Sequence, residues 1–120
     1  PDVESVLCLH SFTPPITGLQ RAYQCINGRA FCGNTPTIRA KNGQDVAIHI
    51  VGVDDNFHDF HLHGHRWKDA AGAETDNPAV GPGQSIVARF RADNPGRWLY
   101  HCHVLAHQDA GMAGWFLVDP

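Results

Sequence analysis

Residues 100–112 read YHCHVLAHQDAGM, and this stretch carries a high density of metal-binding side chains. It contains three histidines, one cysteine and the only methionine of the chain. Thiolate, imidazole and thioether groups together are the ligands of copper electron-transfer sites. The stretch therefore predicts a copper site at the end of a β-strand.

The order His-Cys-His predicts that one strand serves two sites. Successive side chains of a strand point to opposite faces, so His101 and His103 share one face and Cys102 lies on the other. We therefore expect the thiol and the two imidazoles to bind metal on different sides of the strand.

A second stretch, HDFHLHGH at residues 58–65, repeats this arrangement. His61 and His63 share a parity, and His58 has the opposite one. If the two strands are neighbours, we expect His58 and Cys102 to converge inside the domain. A second group would converge outside it, made of His61, His63, His101 and His103.

The inner residues match the ligands of a blue copper site. Cys102, His58 and His107 provide a thiolate and two imidazoles for a trigonal site, and Met112 provides the weak axial ligand. His107 and Met112 follow the strand in a loop that can fold back over the metal. Structural zinc is the alternative, but such sites favour paired cysteines and seldom include a thioether.

The outer four histidines predict a second metal site, because imidazoles on one face have no reason to cluster unless they bind something. Copper fits this site too. Cys102 is covalently next to His101 and His103. An electron that arrives at the thiolate therefore has a short through-bond route to the outer metal.

Length and charge exclude several other classes of protein. At 120 residues the chain is long enough for one hydrophobic core, and we expect one domain over residues 1–120. The net charge of -3, with both signs interspersed, leaves no basic stripe for nucleic acid. The apolar runs are too short for a membrane span, and the first residues lack the pattern of a signal peptide. We expect a soluble chain, either mature or excised.

The sequence does not decide whether the cysteines outside the copper motif form a disulfide. Three of the four cysteines lie outside the copper motif, at Cys8, Cys25 and Cys32. One disulfide is possible among them, but the sequence does not predict which pair forms it. Buried free thiols are an equally good interpretation.

Turn signals separate short runs of β-branched and aromatic residues, as is typical of an all-β chain. The predicted strands are residues 3–9, 22–26, 37–40, 45–53, 58–63, 85–91, 97–103 and 114–118. This count favours a Greek-key β-sandwich or barrel. We expect one short helical turn within residues 104–111 and an irregular surface loop over residues 69–83.

The two histidine stretches resemble the C-terminal copper motifs of the multicopper oxidases, H-x-x-H-x-H and H-C-H-x3-H-x4-M. Residues 26–51, INGRAFCGNTPTIRAKNGQDVAIHIV, resemble the strand pair that precedes them. The likeness covers most of the chain and is greatest to the second domain of the small two-domain bacterial laccases. It implies a cupredoxin-like fold.

The resemblance also implies a role for each ligand. The type 1 copper would be held by His58, Cys102, His107 and Met112. The type 2 copper would be held by His61, and the type 3 pair by His63, His101 and His103. Electrons would enter at the ring edge of His107 or His58 and pass through Cys102.

The resemblance further implies a laccase-like enzyme. Such enzymes take single electrons from a reducing substrate, a phenol-like molecule or a metal ion, and four electrons reduce dioxygen to water. A second domain with a His-Trp-His-Gly motif completes the three-copper cluster, and that half is missing here. We therefore expect a homo-oligomer, with two copies related by a two-fold axis, or a partner cupredoxin domain. We also expect a periplasmic or extracellular location.

The proton relay departs from the family. Several bacterial members have a glutamate directly after the second type 1 histidine, whereas this chain has Gln108. Asp59 and Asp109 are the nearby carboxylates that could carry protons instead. The simpler interpretation makes each of them a solvated or hydrogen-bonding residue.

Two other functions compete with the oxidase. A plain blue copper electron carrier uses the inner site alone and needs none of the outer histidines. A nitrite reductase is disfavoured, because that family has His-Cys without the second histidine that this chain has in His103. The other histidines and the tryptophans are best interpreted as structural, core or interface residues: His10, His49, His65, Trp67, Trp98 and Trp115.

Overall fold

Eleven strands and two short helices occupy the described residues, 1–18 and 20–120, of this computed structural model. The strands are β1 (Val3–Phe12), β2 (Tyr23–Ile26), β3 (Ile38–Lys41), β4 (Asp45–Gly52), β5 (His58–Leu62), β6 (Trp67–Lys68), β7 (Glu74–Thr75), β8 (Ala79–Val80), β9 (Ser85–Arg91), β10 (Gly96–Cys102) and β11 (Ala113–Asp119). The helices are α1 (Pro14–Thr17) and α2 (Leu105–Asp109). Within the described residues, no helix is long and apolar enough to cross a membrane.

The long strands form two sheets, which confirms the prediction of an all-β sandwich. A four-stranded sheet has the order β2-β1-β4-β9, and a five-stranded sheet has the order β3-β11-β10-β5-β8. The pairs β1–β4 and β11–β3 are parallel, and the other neighbours are antiparallel. The strands that carry the histidine stretches, β5 and β10, are neighbours in the five-stranded sheet.

Alternation of side chains along the strands builds the core between the sheets. In β4, Val46, Ile48 and Ile50 are each no more than 1% exposed. From the opposite sheet, Phe60 and Tyr100 join the same buried cluster. Because consecutive residues face opposite ways, the residues next to Phe60 and Tyr100 on their strands point out of this core.

A two-residue turn reverses the chain after β2. Asn27 and Gly28 have φ angles of 52° and 81°. Ile26 and Arg29 exchange two backbone hydrogen bonds across them, of 2.8 and 3.2 Å. This is the geometry of a type I′ turn, for which Asn-Gly is a favoured pair. The turn directs residues 29–36 back toward the end of β10 and the start of β11.

Three local features differ from the prediction. β5 ends at Leu62 and β10 ends at Cys102, so His63 and His103 follow the strands instead of lying in them. The prediction of an irregular loop over residues 69–83 is wrong, because β7 and β8 lie there and β8 pairs with β5. That pairing satisfies backbone groups that β5 would otherwise leave open at the sheet edge. Helix α1, which was not predicted, has proline in its first turn and is capped at its C-terminal end by Gly18, with a φ of 71°.

Candidate metal centre

The pairing of β5 with β10 creates the candidate site. Cys102 lies opposite Phe60, and His101 lies opposite His61. The backbone N–H of Asp59 donates a hydrogen bond of 3.5 Å to Cys102 Sγ. This register places Cys102 on the core side of the sheet and the two paired histidines on the other side.

The inner cluster consists of His58, Cys102 and His107. Cys102 Sγ lies 3.9 Å from Nδ1 of His58 and 3.6 Å from Nδ1 of His107. Trigonal bonds of about 2.0 Å to nitrogen and 2.3 Å to sulfur would separate such ligand atoms by roughly 3.7 Å. The three ligand atoms therefore have the spacing that one metal ion requires.

Burial changes the pKa values of residues in the inner cluster. His58 is fully buried and Cys102 is 1% exposed. Burial raises the pKa of the Cys102 thiol and lowers the pKa of the His107 imidazole. His107 therefore favours its neutral, ligating form, and the thiol favours its proton until a metal ion displaces it.

A carboxylate fixes the orientation of His58. The Nε2–H of His58 donates a hydrogen bond of 2.9 Å to Oδ1 of Asp54, whose side chain is 11% exposed. This bond leaves Nδ1 as the free lone pair facing Cys102. The prediction from sequence missed Asp54. Only a search for a carboxylate partner of each ligand histidine could have found it.

The segment after β10 returns to the inner cluster. Helix α2 carries His107, and the chain then reaches Met112, which is fully buried in the core. The Met112 N–H donates to the His107 carbonyl over 3.1 Å, and the Cys102 N–H donates to the Met112 carbonyl over 3.1 Å. The backbone of Met112 is therefore hydrogen-bonded to the backbone of two members of the inner cluster.

The outer cluster consists of His61, His63, His101 and His103. The ligand atoms of the first three lie within 4.8 Å of one another, and the Nε2 atoms of His63 and His101 are 3.1 Å apart. The His103 ring centroid lies 5.5 Å from that of His61 and 5.7 Å from that of His101. The structure thus gathers all four rings on the face opposite Cys102.

Backbone carbonyls set the tautomers of two outer histidines. Nδ1 of His61 donates to the Asp76 carbonyl over 2.8 Å, and Nδ1 of His101 donates to the Cys102 carbonyl over 3.0 Å. Both rings therefore keep Nε2 free as a ligand atom. Burial, followed by the charge of His61, lowers the pKa of His63, and burial lowers the pKa of His101. Neutral imidazoles are the form that binds metal.

The two carboxylates that were predicted as proton carriers lie in different surroundings. Asp59 is half-buried, and its Oδ1 is buried with no hydrogen-bond partner among the described residues. Burial raises the pKa of the Asp59 carboxyl, while His103 and His61 lower it to a smaller extent. Asp109 is exposed at the end of α2. Of these two carboxylates, Asp59 is therefore the one near the outer cluster, where the Asp76 carboxylate also lies, 3.9 Å from His61 Nδ1.

The other histidines lie outside both clusters. His10 Nε2 accepts a hydrogen bond of 2.9 Å from the Gly28 N–H, and His49 Nε2 lies 2.7 Å from Glu4 Oε1. His65 is buried among aromatic rings, with centroids 5.1 to 6.0 Å away. These contacts fit their interpretation as structural residues.

The three cysteines outside the clusters form no disulfide among the described residues. They are the free thiols of Cys8, Cys25 and Cys32.

Comparison with known sequences finds one matching family and several related proteins. The profile of the multicopper oxidase family matches residues 11–120. An iron transport multicopper oxidase of Gibberella zeae is 33% identical over 108 residues, covering 72% of this chain and 17% of the relative. A probable nitrite reductase-hydroxylamine oxidoreductase fusion protein of Kuenenia stuttgartiensis is 32% identical over 135 residues, covering 99% of this chain and 15% of the relative. The chain thus spans less than a fifth of the length of either relative.

Comparison with solved structures supports the same conclusion about the fold. The blue copper oxidase from Nitrosomonas europaea superposes with a TM-score of 0.84 at 26% identity, over 96% of this chain and 43% of the other. The predicted cupredoxin-like fold is confirmed.

Proposed function

This chain belongs to the multicopper oxidase family, and on that premise we propose that residues 1–120 form one cupredoxin-like domain of a copper-dependent oxidase. The family implies an oxidoreductase with copper as its cofactor. We assign the type 1 copper to the inner cluster together with Met112. The type 2 copper is assigned to His61, and the type 3 pair to His63, His101 and His103.

The position of Cys102 between the two clusters carries this proposal. Its Sγ belongs to the inner cluster, its carbonyl accepts a hydrogen bond from His101, and His103 follows it along the chain. An electron on the thiolate would reach the outer cluster through a few covalent bonds. A plain blue copper carrier has no use for the four outer histidines, so that alternative is not favoured.

Bound copper would supply one-electron redox chemistry, by which four electrons from a reducing substrate and four protons convert one dioxygen into two waters. His107 is half-buried and can present its ring edge to the substrate. His58 is fully buried, and its Nε2 is held by Asp54, so it orients the site instead of meeting the substrate. Electron entry is therefore assigned to His107 and onward transfer to Cys102.

We assign to Asp59, and not to Asp109, the role of donating protons to the outer cluster. The buried Asp59 Oδ1 has no hydrogen-bond partner among the described residues, so it can hold a proton there. The raised pKa of this carboxyl, caused mainly by burial, favours the protonated form. Asp109 is exposed on α2, as a solvated residue would be.

The outer cluster needs histidines from a partner to hold three copper ions. His63 and His103 are exposed, so this face is open to another domain or to a second copy of the chain. Two copies related by a two-fold axis would bring eight histidines together. Where the chain acts without a second domain, we expect its mass in solution to exceed that of one chain.

The electron donors and acceptors to be tested follow from copper redox chemistry and from the names of two relatives. One relative is named as an iron transport protein, so ferrous iron is tested beside a phenol as the electron donor. Another is named as a probable nitrite reductase fusion protein, so nitrite is tested beside dioxygen as the acceptor. The periplasmic or extracellular location stays a prediction.

The test of this function removes the outer cluster and spares the inner one. In the copper-loaded full-length protein, His61→Ala with His103→Ala should lower both the copper content and the oxygen consumption. The intense blue absorption band of a thiolate bound to the inner copper should survive. The matched control is His10→Ala with His49→Ala, which removes two histidines that lie outside the clusters. We expect this control to keep its copper and its oxygen consumption.

The opposite result would favour another function. Unchanged copper content and oxygen consumption in the His61/His103 variant would leave the blue copper electron carrier as the better interpretation. Turnover with nitrite but not with dioxygen would favour a nitrite reductase.

A further inference from the structure

Residues 29–35, which we call the brace segment, pack against the backbone around Met112. The Phe31 N–H donates a hydrogen bond of 2.7 Å to the Gly111 carbonyl, and the neighbouring Gln24 N–H donates one of 3.0 Å to the Ala110 carbonyl. Both bonds hold the chain on the N-terminal side of Met112.

Thr35 holds the chain on the other side of Met112. Its hydroxyl donates a hydrogen bond of 2.6 Å to the Ala113 carbonyl. Thr35 is 3% exposed and Ala113 is 8% exposed, so this bond is shielded from water. Met112 is therefore flanked on both sides by carbonyls that are fixed from the other end of the sequence.

The fit between the brace segment and Gly111 leaves no spare room. Gly111 has a φ of 117°, and a Cβ added there would lie 2.6 Å from the Ala30 Cβ and 3.1 Å from the Phe31 nitrogen. Such a close approach of two backbones requires glycine. The segment around Met112 thus cannot shift toward the brace segment.

The brace segment is itself held in a strained shape. Phe31 has a φ of 73°, which is unfavourable for a residue with a side chain. Its ring packs edge-on against Tyr23 at 6.3 Å, and the Arg21 guanidinium lies over both rings. The Thr35 N–H donates to the Phe31 carbonyl over 3.1 Å. These contacts hold the strained conformation and place the Thr35 hydroxyl.

We propose that the brace segment positions Met112 as the axial ligand, with Thr35 as a positioning residue, and so sets the reduction potential of the inner copper. This inference rests on the proposed function, because it requires copper at the inner cluster. A thioether is a weak and long axial ligand. A bound copper ion would therefore do little to fix the position of the Met112 thioether, and the rigidity of the surrounding backbone would decide it.

The test compares Thr35→Val with Thr35→Ser in the copper-loaded full-length protein. Valine keeps the shape but leaves the buried Ala113 carbonyl unpaired, whereas serine can still donate the hydrogen bond. A loosened thioether is a weaker donor and stabilises oxidised copper less. We expect Thr35→Val to raise the reduction potential of the inner copper, measured by redox titration of its blue absorption band, and Thr35→Ser to leave this potential at the wild-type value.

The same substitution in a Met112→Leu variant separates positioning of the thioether from a general structural effect. Met112→Leu should raise the potential, because it removes the axial donor. In that background Thr35→Val should change the potential no further, since no thioether remains to be moved. If Thr35→Val fails to load copper, Phe31→Gly replaces it. Glycine adopts a φ of 73° freely but loses the ring contacts, and this variant should also raise the potential.

The outcomes distinguish this inference from the proposed function. If Met112→Leu leaves the potential and the spectrum unchanged, Met112 is not the axial ligand, and the assignment of the inner copper ligands fails as well. If Met112→Leu raises the potential but the brace variants do not, the inference alone is overturned. It is also overturned if the Thr35→Val shift persists undiminished beside Met112→Leu.

Discussion

Cys102 is the last residue of β10, and there its side chain enters the core while its backbone lies against the outer cluster. A cysteine thiolate on copper in a trigonal site produces an intense charge-transfer band, which a serine hydroxyl cannot. We expect Cys102→Ser to abolish the blue colour of the copper-loaded protein, measured by visible absorption. His103→Ala, one residue further on, is the control that should stay blue. A blue Cys102→Ser protein would contradict the assignment of this ligand.

His65 shows what one buried histidine does to stability. It is 5% exposed, packs between Phe90 and Phe116, and its Nε2 has no hydrogen-bond partner among the described residues. Burial lowers its pKa from 6.5. As the pH falls below 6.5, the unfolded chain therefore binds the proton before the folded chain does, and folding loses stability.

A substitution at His65 tests this pH dependence in the metal-free protein. We expect the free energy of unfolding to fall less steeply between about pH 6.5 and pH 5 in His65→Leu than in the wild type. The measurement is urea unfolding at several pH values. Val6→Leu, at an exposed residue whose side chain does not titrate, is the comparison, and its pH dependence should follow that of the wild type. Parallel curves for His65→Leu and the wild type would contradict the prediction.

The pairing of β10 with β11 depends on one small residue. Gly114 lies opposite Tyr100, and a Cβ at Gly114 would overlap the Tyr100 ring. The Tyr100 hydroxyl donates a hydrogen bond of 2.6 Å to the Pro36 carbonyl, which limits how far the ring can move. This contact holds the strand that carries members of both clusters.

We expect Gly114→Ala to lower the free energy of unfolding by about 1–3 kcal/mol, because the added methyl group overpacks the pair. In a Tyr100→Leu background the same substitution should cost less, since no ring remains to be displaced. Denaturant unfolding of the four proteins in this cycle measures the difference. An equal cost in both backgrounds would mean that the ring is not the obstacle.

Copper at the inner cluster would link separate parts of the sandwich. His58 lies on β5, Cys102 on β10 and His107 on α2, so one ion at the inner cluster would join two strands and a helix. A ligand that binds only the folded state adds to its stability by mass action. At free copper of about 100 times the dissociation constant, we expect a gain of about 2.7 kcal/mol in the free energy of unfolding.

Unfolding with added copper and with a chelator measures this gain. His58→Ala with Cys102→Ser removes two inner ligands, and most of the gain should disappear with them. An equal gain in that variant would place the stabilising copper elsewhere.

The periodicity of the β-strand made much of this protein predictable from its sequence. A strand alternates its side chains whatever its neighbours are. The sequence therefore predicted that Cys102 faces away from His101, and that His58 faces away from His61. The turn signals and β-branched runs likewise predicted the all-β class, although they missed β8, which forms because β5 offers it an open edge.

The contacts that orient these candidate ligands could be found only in the tertiary structure. Asp54 holds His58 from a loop, the Asp76 carbonyl holds His61 from the segment before β8, and Thr35 reaches Ala113 across a separation of 78 residues. Asp54 is close to His58 in sequence, but it lies in the loop before β5, where strand periodicity predicts nothing. The other two partners are defined by where more distant backbone comes to lie after the sheets pack. Local periodicity thus determined which face each candidate ligand occupies, whereas the folded loops and the long-range packing determined which ring nitrogen is free and which backbone carbonyls are fixed.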